Sequence, residues 1–512
     1  MTDSLAVSGG ATGILARVAD MRATADVLDA KGDVLRRLAG EVAAVAGHDA
    51  VLGSQLLSPL TGARVLAEVA EAQLPPAGLT WVALEYEASA TFLRGAATAY
   101  EETDAALARL AELRDTATGV VLVNGGLLAA GGIALTSLLL DALPDPLVDA
   151  LTPDEFAAWV ESVGEDPLGT VMGELYDHPW ATDALVSGLP WVLGTEVPLV
   201  LSAVTPWTFT SVPLTYEEVV AGIVAGGGLL GLFADGTPVV TPEPYDPARY
   251  PTPEAWQAAL DATAADSVSA LFDNISGLGD DTGSEVRVTA VPDGAGGYTW
   301  LVEIPGTQDW APRSGSNPSN LATNLRLMAG SHGTAMEEGV LEAVRQAMAS
   351  LSDRTGVPLA DLEGGPVTLA GHSQGGIVAA SLAADPGNGL NVTTVVTGGS
   401  PVANMAVPDD VTVVSIEHVQ DPVHHLDGNP NPGGPNWTTV VRDVDGHSQV
   451  TAGDPFSAHH GALYADTGAL VDEQASTDPA LRLALADLQG QFAHVRDGEP
   501  HVFQFDVGQE HP

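Results

Sequence analysis

A serine on a glycine-flanked turn, an aspartate downstream and a late pair of histidines are the residues of this sequence whose types and order could do nucleophilic chemistry. The serine is Ser373, in Gly371-His372-Ser373-Gln374-Gly375-Gly376. The G-x-S-x-G spacing puts it on a tight strand-to-helix turn, where the glycines let strand and helix approach without a Cβ clash. Its hydroxyl then stands above the sheet at the N-terminus of a helix, whose dipole and free N–H groups favour developing negative charge. The spacing alone arises easily by chance in a chain rich in glycine and alanine. Its context decides: the β-branched run Val367-Thr368-Leu369-Ala370 precedes it and the helix-forming Ile377 to Ala384 follows it. Ser373 is therefore the expected nucleophile.

A serine hydroxyl needs a base to take its proton and an acid to orient that base. Around this motif they follow in the order Ser, Asp or Glu, His. Val392 to Thr397 and Val411 to Ile416 read as further buried strands, the second ending in Glu417-His418-Val419-Gln420-Asp421-Pro422. Asp421 falls past the C-terminal end of that strand, the edge where open α/β sheets bind ligands. It is the expected acid, with an ordinary turn aspartate before proline as the plainer alternative. Glu417 is a rival, but inside a strand its side chain would point to one face of the sheet. Ala458-His459-His460-Gly461 supplies two adjacent histidines at the start of a helix, and the residues alone do not choose between them as base. His418, His424, His425 and His447 compete, but their positions suit solvated loop side chains, and His372 suits packing under the elbow.

An oxyanion hole needs two N–H groups aimed at one point, one from the residue after the nucleophile and one from the loop after an earlier strand. Gln374 supplies the first. The strand Tyr298 to Ile304 runs into Pro305-Gly306-Thr307-Gln308-Asp309-Trp310, which offers Thr307 or Gln308 as the second. Ala311 to Gly333, polar at its start, is an expected pocket rim or lid. The helix after it turns Val340, Leu341, Val344, Met348 and Leu351 to one face. Trp310 and Met328 are candidates for an acyl pocket, with ordinary core packing the plainer reading.

These motifs resemble a known family. From about Val286 to Tyr464 the sequence resembles the α/β-hydrolase fold in its lipase-like branch, and is similar to class 3 lipases and to an actinobacterial group of uncharacterised hydrolases. The resemblance rests on I-P-G-T-Q, V-T-L-A-G-H-S-Q-G-G, the following G-G-S-P-V, the Q-D-P-V loop and a histidine shortly before Tyr464. It implies an α/β-hydrolase core with a mostly parallel sheet, Ser373 as nucleophile, Asp421 as acid and His459 or His460 as base. In the actinobacterial group the histidine stands five residues before the tyrosine, which fits His459. The class 3 enzymes place it closer, and the family often has proline where His424 stands.

The expected chemistry is acyl transfer through an acyl-enzyme: a serine ester hydrolase acting on a small-molecule ester or lipid, with no metal or organic cofactor. Thioester hydrolysis and acyl transfer to an alcohol use the same triad. From other classes, a non-catalytic hydrolase relative used for binding, or a secreted effector, fits the same motifs. The 512 residues carry 18 Lys and Arg against 67 Asp and Glu, a net charge of −49 that would repel a nucleic-acid partner. With no cysteine there is no disulfide or thiolate metal site. Lys31 is the only lysine, a composition that suits a high-GC genome or an acidic surface adapted to salt.

Four regions are expected: an α-helical hairpin over 1–115, an apolar segment over 116–150, a helical cap or accessory region over 151–267, and the catalytic domain over 268–512. No basic, apolar leader opens the sequence. Residues 12 to about 46 form an amphipathic helix pattern through Leu15, Val18, Met21, Ala25, Leu28 and Leu35, and 79–114 form a second. Near the latter's end, Tyr100-Glu101-Glu102-Thr103-Asp104 is similar to the Y-x-x-x-D/E signal of type VII secretion substrates, though their W-x-G turn is missing. That likeness implies a secretion machinery or small helical partner and a cell-envelope or extracellular location, with the cytoplasm as the alternative. Thr116 to Leu140 carries no charge and is long enough to span a membrane, or to form buried helices. Val219 to Phe233 is too short to span comfortably.

Overall fold

The computed structural model describes residues 5–10, 14–46, 214–279, 283–451 and 454–511, with a few single positions between 48 and 186. The chain divides into two compact units, Gly13–Ala111 and the remainder. The strand β1 (Leu5–Gly9) belongs to the larger unit, so the smaller one is inserted after it.

In the smaller unit, α1 (Ile14–Ala46) is the expected first helix. Among its described side chains the buried ones are Ala25, Gly32 and Ala39, at seven-residue intervals, with Leu28, Leu35 and Val42 half-buried. This is a narrow seam in which small side chains let another backbone come close, a heptad spacing that the larger apolar residues do not reveal. Most of the expected second helix, including Tyr100, lies outside the described residues, as does the apolar segment 116–150. Among the described residues no helix is long and apolar enough to cross a membrane.

The larger unit continues with α2 (Tyr216–Leu229), β2 (Thr237–Pro242), α3 (Pro253–Asp261), α4 (Val268–Ser276), β3 (Ser284–Pro292) and β4 (Tyr298–Ile304). Then come α5 (Leu321–Met328), α6 (Ala335–Thr355), α7 (Leu359–Glu363), β5 (Pro366–His372) and α8 (Gln374–Ala384). The strands β6 (Asn391–Gly398), β7 (Thr412–His418) and β8 (Trp437–Arg442) follow, then α9 (Gly461–Ala475), α10 (Pro479–Ala484), α11 (Ala486–Asp497) and β9 (His501–Glu510). The class is α/β: one nine-stranded sheet in the order β1-β8-β7-β6-β5-β4-β3-β9-β2. The five central strands, β4 to β8, are parallel. Both ends of the sheet are antiparallel, so the parallel character is narrower than expected.

The expected domain boundary at 268 is too late for the sheet, because β1 and β2 are its two edges. The prolines Pro238 and Pro242 in β2 suit an edge strand, since they cannot donate to a further neighbour. One sheet face is covered by α6 and α8, through Val340, Val344, Leu351, Ile377 and Val378 packed on Val302, Leu369 and Val395. The other is covered by α4, α9, α10 and α11, through Phe272, Tyr464, Leu481 and Phe492 on Leu301, Ala370 and Val396. Each such aliphatic side chain contributes roughly 1.5–3 kcal/mol on full burial. The helix α6 is well delimited: Thr334 and Glu337 form a reciprocal capping box and Gly356 ends it at φ 75°.

Candidate active site

The strand β5 runs directly into α8 through Ser373, whose φ of 55° and ψ of −122° are strained for a residue with a side chain. Close packing enforces the turn. A Cβ on Gly371 would lie 2.0 Å from the carbonyl carbon of Gly375, and one on Gly375 would lie 2.1 Å from the carbonyl oxygen of Ile304. The elbow is thus wedged against the end of β4, where the expected oxyanion loop begins. Ser373 faces a cavity of about 540 Å³ lined also by Gly306, Thr307, Trp310, Phe456 and both late histidines.

Asp421 lies just beyond β7, fully buried. Its Oδ1 accepts the backbone N–H of Val423 at 2.9 Å. Its Oδ2 accepts from His459 Nδ1 at 2.7 Å and from the Tyr464 hydroxyl at 2.6 Å. Burial alone would raise the carboxyl's pKa, but the His459 ring and these donors outweigh it and hold Asp421 well below the usual carboxylate range. An ionised carboxylate only accepts, so Nδ1 carries the proton and Nε2 of His459 presents a lone pair. That Nε2 is buried and has no hydrogen-bond partner among the described residues. The short 3₁₀ turn Pro455–His459 delivers this ring, whereas His460 is the exposed residue that starts α9. The two adjacent histidines are thereby separated: both line the cavity, and His459 alone of the two is bonded to Asp421.

An aromatic pile backs the site. The His418 and Tyr464 rings stack with centroids 3.9 Å apart, and His372 lies 5.0 Å from Tyr464 and 4.6 Å from His459. Burial holds His372 down to about 3 and His418 to about 4, so both are neutral at ordinary pH. His418 bonds the Ala458 carbonyl oxygen and the Thr467 hydroxyl, bracing the segment that carries His459. His418 and His424 are therefore not the solvated loop residues their positions suggest; both are buried. Glu417 sits on one face of β7 and bonds Asn431 and not His459.

Gln374 is the first residue of α8, so its N–H has no acceptor within the helix. Of the two candidates on the other side, Gln308 is committed elsewhere: its backbone N–H donates to the Ser319 carbonyl at 2.8 Å and its side chain to the Leu278 carbonyl. Thr307 lines the cavity, and its hydroxyl accepts from Asn324 at 2.8 Å. The Gln374 amide in turn donates to Asn324 Oδ1 at 2.8 Å and to the Asn320 carbonyl at 2.6 Å. Asn324 thus ties the two sides of the expected oxyanion hole together.

Sequence reasoning missed Asn324, Tyr464 as a donor to Asp421, and Phe456 at the cavity. Trp310 lines the same cavity and is 54% exposed, so it is not core. Met328 lines a different cavity, beside Tyr216 and His332. The expected lid, Ala311 to Gly333, contains α5, which packs against α2 and α8. Among the described residues no group of three or more histidine, aspartate or glutamate side chains is arranged to hold a metal ion. No family model, curated protein or solved structure matches this chain.

Proposed function

We propose that this chain is a serine ester hydrolase of the lipase or esterase type, built on an α/β-hydrolase core. One observation carries the reading: an ionised, buried Asp421 bonded at 2.7 Å to His459, a residue that lines the same cavity as a strained serine at a helix N-terminus. In the proposed reaction His459 Nε2 takes the proton of Ser373 as its Oγ attacks the ester carbonyl. Asp421 holds the imidazole in the required tautomer and stabilises the imidazolium. The backbone N–H groups of Gln374 and Thr307 receive the oxyanion. The imidazolium protonates the departing alkoxide, and water, deprotonated by the same nitrogen, then cleaves the acyl-enzyme.

The substrate class we propose is an ester with an apolar acyl group. Trp310 and Phe456, 54% and 48% exposed beside the serine, favour apolar chains over charged ones. The net charge of −49 argues against polyanionic substrates. The test is a panel of p-nitrophenyl esters of increasing acyl length, assayed on wild type and Ser373→Ala. Wild type is expected to turn over the apolar esters and the variant to be inert. Equal rates for the two proteins would overturn the reading.

A further inference from the structure

We infer that the opposite, N-terminal end of the sheet carries a second ligand site, for a small polyol. A cavity of about 360 Å³ opens there between the sheet and α11, in the range of small-molecule pockets. Its floor is Thr299 of β4, Pro366 and Thr368 of β5 and Thr393 of β6. Its roof is Gly490 and Gln491, with Asp487 and His494 of α11 and Asp293 at the sides. It shares no lining residue with the cavity at Ser373.

Three features set this end apart from an ordinary helix-on-sheet contact. The floor carries hydroxyls from three adjacent strands, on Thr299, Thr368 and Thr393. The row across four strands reads Thr289, Leu301, Thr368, Thr394. The Thr289 and Thr394 hydroxyls, buried without a partner among the described residues, lie beside this floor and outside the cavity's lining.

The second feature is Gln491, 6% exposed. Its amide nitrogen donates to Thr299 Oγ1 at 3.1 Å, which leaves the Thr299 proton free to donate, while its own Oε1 is buried with no partner. A buried amide oxygen at a cavity wall calls for a donor from a ligand. The third is the backbone around the opening. The β5–β6 register shifts between Val367 and Thr368, making Thr393 the extra residue of a bulge, a device that re-aims a side chain. Overhead, Gly490 lies inside a helix where a Cβ would meet nothing within 4 Å, so packing does not require glycine there, and its absence of side chain keeps the roof open.

The ligand class follows from these groups. Threonine hydroxyls both donate and accept, and Gln491 Oε1 needs a donor, a pattern that a molecule rich in hydroxyls satisfies. Asp293 and Asp487 at the rim disfavour anions.

The test is saturation-transfer NMR of the full chain with glucose and with glycerol at millimolar concentrations. Wild type and Ser373→Ala should bind alike, because this site is independent of the serine. The double variant Thr368→Val/Gln491→Leu should bind at least about tenfold more weakly. Its melting temperature without ligand should be unchanged or raised, since an orphaned polar atom is removed. Gly490→Leu, which fills the opening and spares the polar groups, should show the same loss, and it decides the matter if the double variant is unstable. No transfer from either polyol in wild type, binding lost in Ser373→Ala, or binding intact in Gly490→Leu would each overturn the proposal.

Discussion

Two histidine–carboxylate pairs flank the end of β7, four residues apart at their acids, and their carboxyls are shifted in opposite directions. Asp421 is the charged member of the first pair: the His459 ring and donors from Val423, His459 and Tyr464 converge on the carboxylate and keep it ionised despite full burial. Glu417 with His424 is a neutral pair. Their closest approach is 3.7 Å, Asn431 is the donor to the carboxyl, and burial pushes Glu417 up to about 8 and His424 well below its ordinary value. The residue types are nearly the same. What differs is what faces the charged form, the His459 ring at 2.7 Å with two further donors against a ring at 3.7 Å and one donor, and that decides whether burial suppresses a charge or traps it.

The comparison breaks most visibly at the first pair. Ser373→Ala and His459→Ala should each lower kcat for an ester substrate by about 10⁴ or more, and Asp421→Asn by about 10³–10⁴, because the imidazole loses its tautomer. His460→Ala should stay within about threefold, since that ring orients nothing in the triad. Initial rates on one ester measure all four.

Removing Asn324 comes next. Asn324→Leu should cost about 10–100-fold in kcat with little change in KM, because Thr307 and Gln374 lose the side chain that ties them. Steady-state kinetics separates the two parameters. Tyr464→Phe removes one donor from Asp421 and should change kcat by no more than about tenfold. The remaining donors still ionise the carboxylate, but it is now less quenched and stabilises the imidazolium more. The acidic limb of the kcat/KM profile should therefore move to higher pH, a shift that lost packing alone would not produce.

The smallest effect belongs to the second pair. Glu417→Gln should leave kcat within about twofold, because the wild-type side chain is already neutral at ordinary pH. Stability carries the signature instead. With its folded value raised from 4.5 to about 8, Glu417 binds more protons folded than unfolded, so its contribution is complete at low pH and is lost as pH rises through that window. Urea unfolding at about pH 5 and about pH 8 should show the variant gaining on wild type at the higher pH.

How much of this was legible in the sequence depends on whether the signal was local. The elbow was, because glycine spacing, a β-branched run and a small-residue helix all lie within twenty residues of Ser373. Asp421 was legible by its place past a strand end. The choice between His459 and His460 was not, because it depends on which residue closes a 3₁₀ turn. Gln308 misled because the loop it occupies folds back on Ser319, a contact with no sequence signature. The partners that brace the site, Asn324 and Tyr464, come from helices separated from their targets by many residues. The sheet edges escaped for a similar reason: β1 is five residues long, and β2 carries prolines that argue against a strand unless its outer side is free. In α1 the helical period was visible but the buried seam was not, because it is made of alanine and glycine.

The central claim is that Ser373 is made nucleophilic by His459. It is tested most directly by fluorophosphonate labelling followed by peptide mass spectrometry on wild type, His459→Ala and His460→Ala. The account predicts one adduct, on the peptide containing Ser373, formed at a similar rate in His460→Ala and nearly abolished in His459→Ala. An adduct on another residue, no adduct in wild type, or equal labelling of wild type and His459→Ala would contradict it.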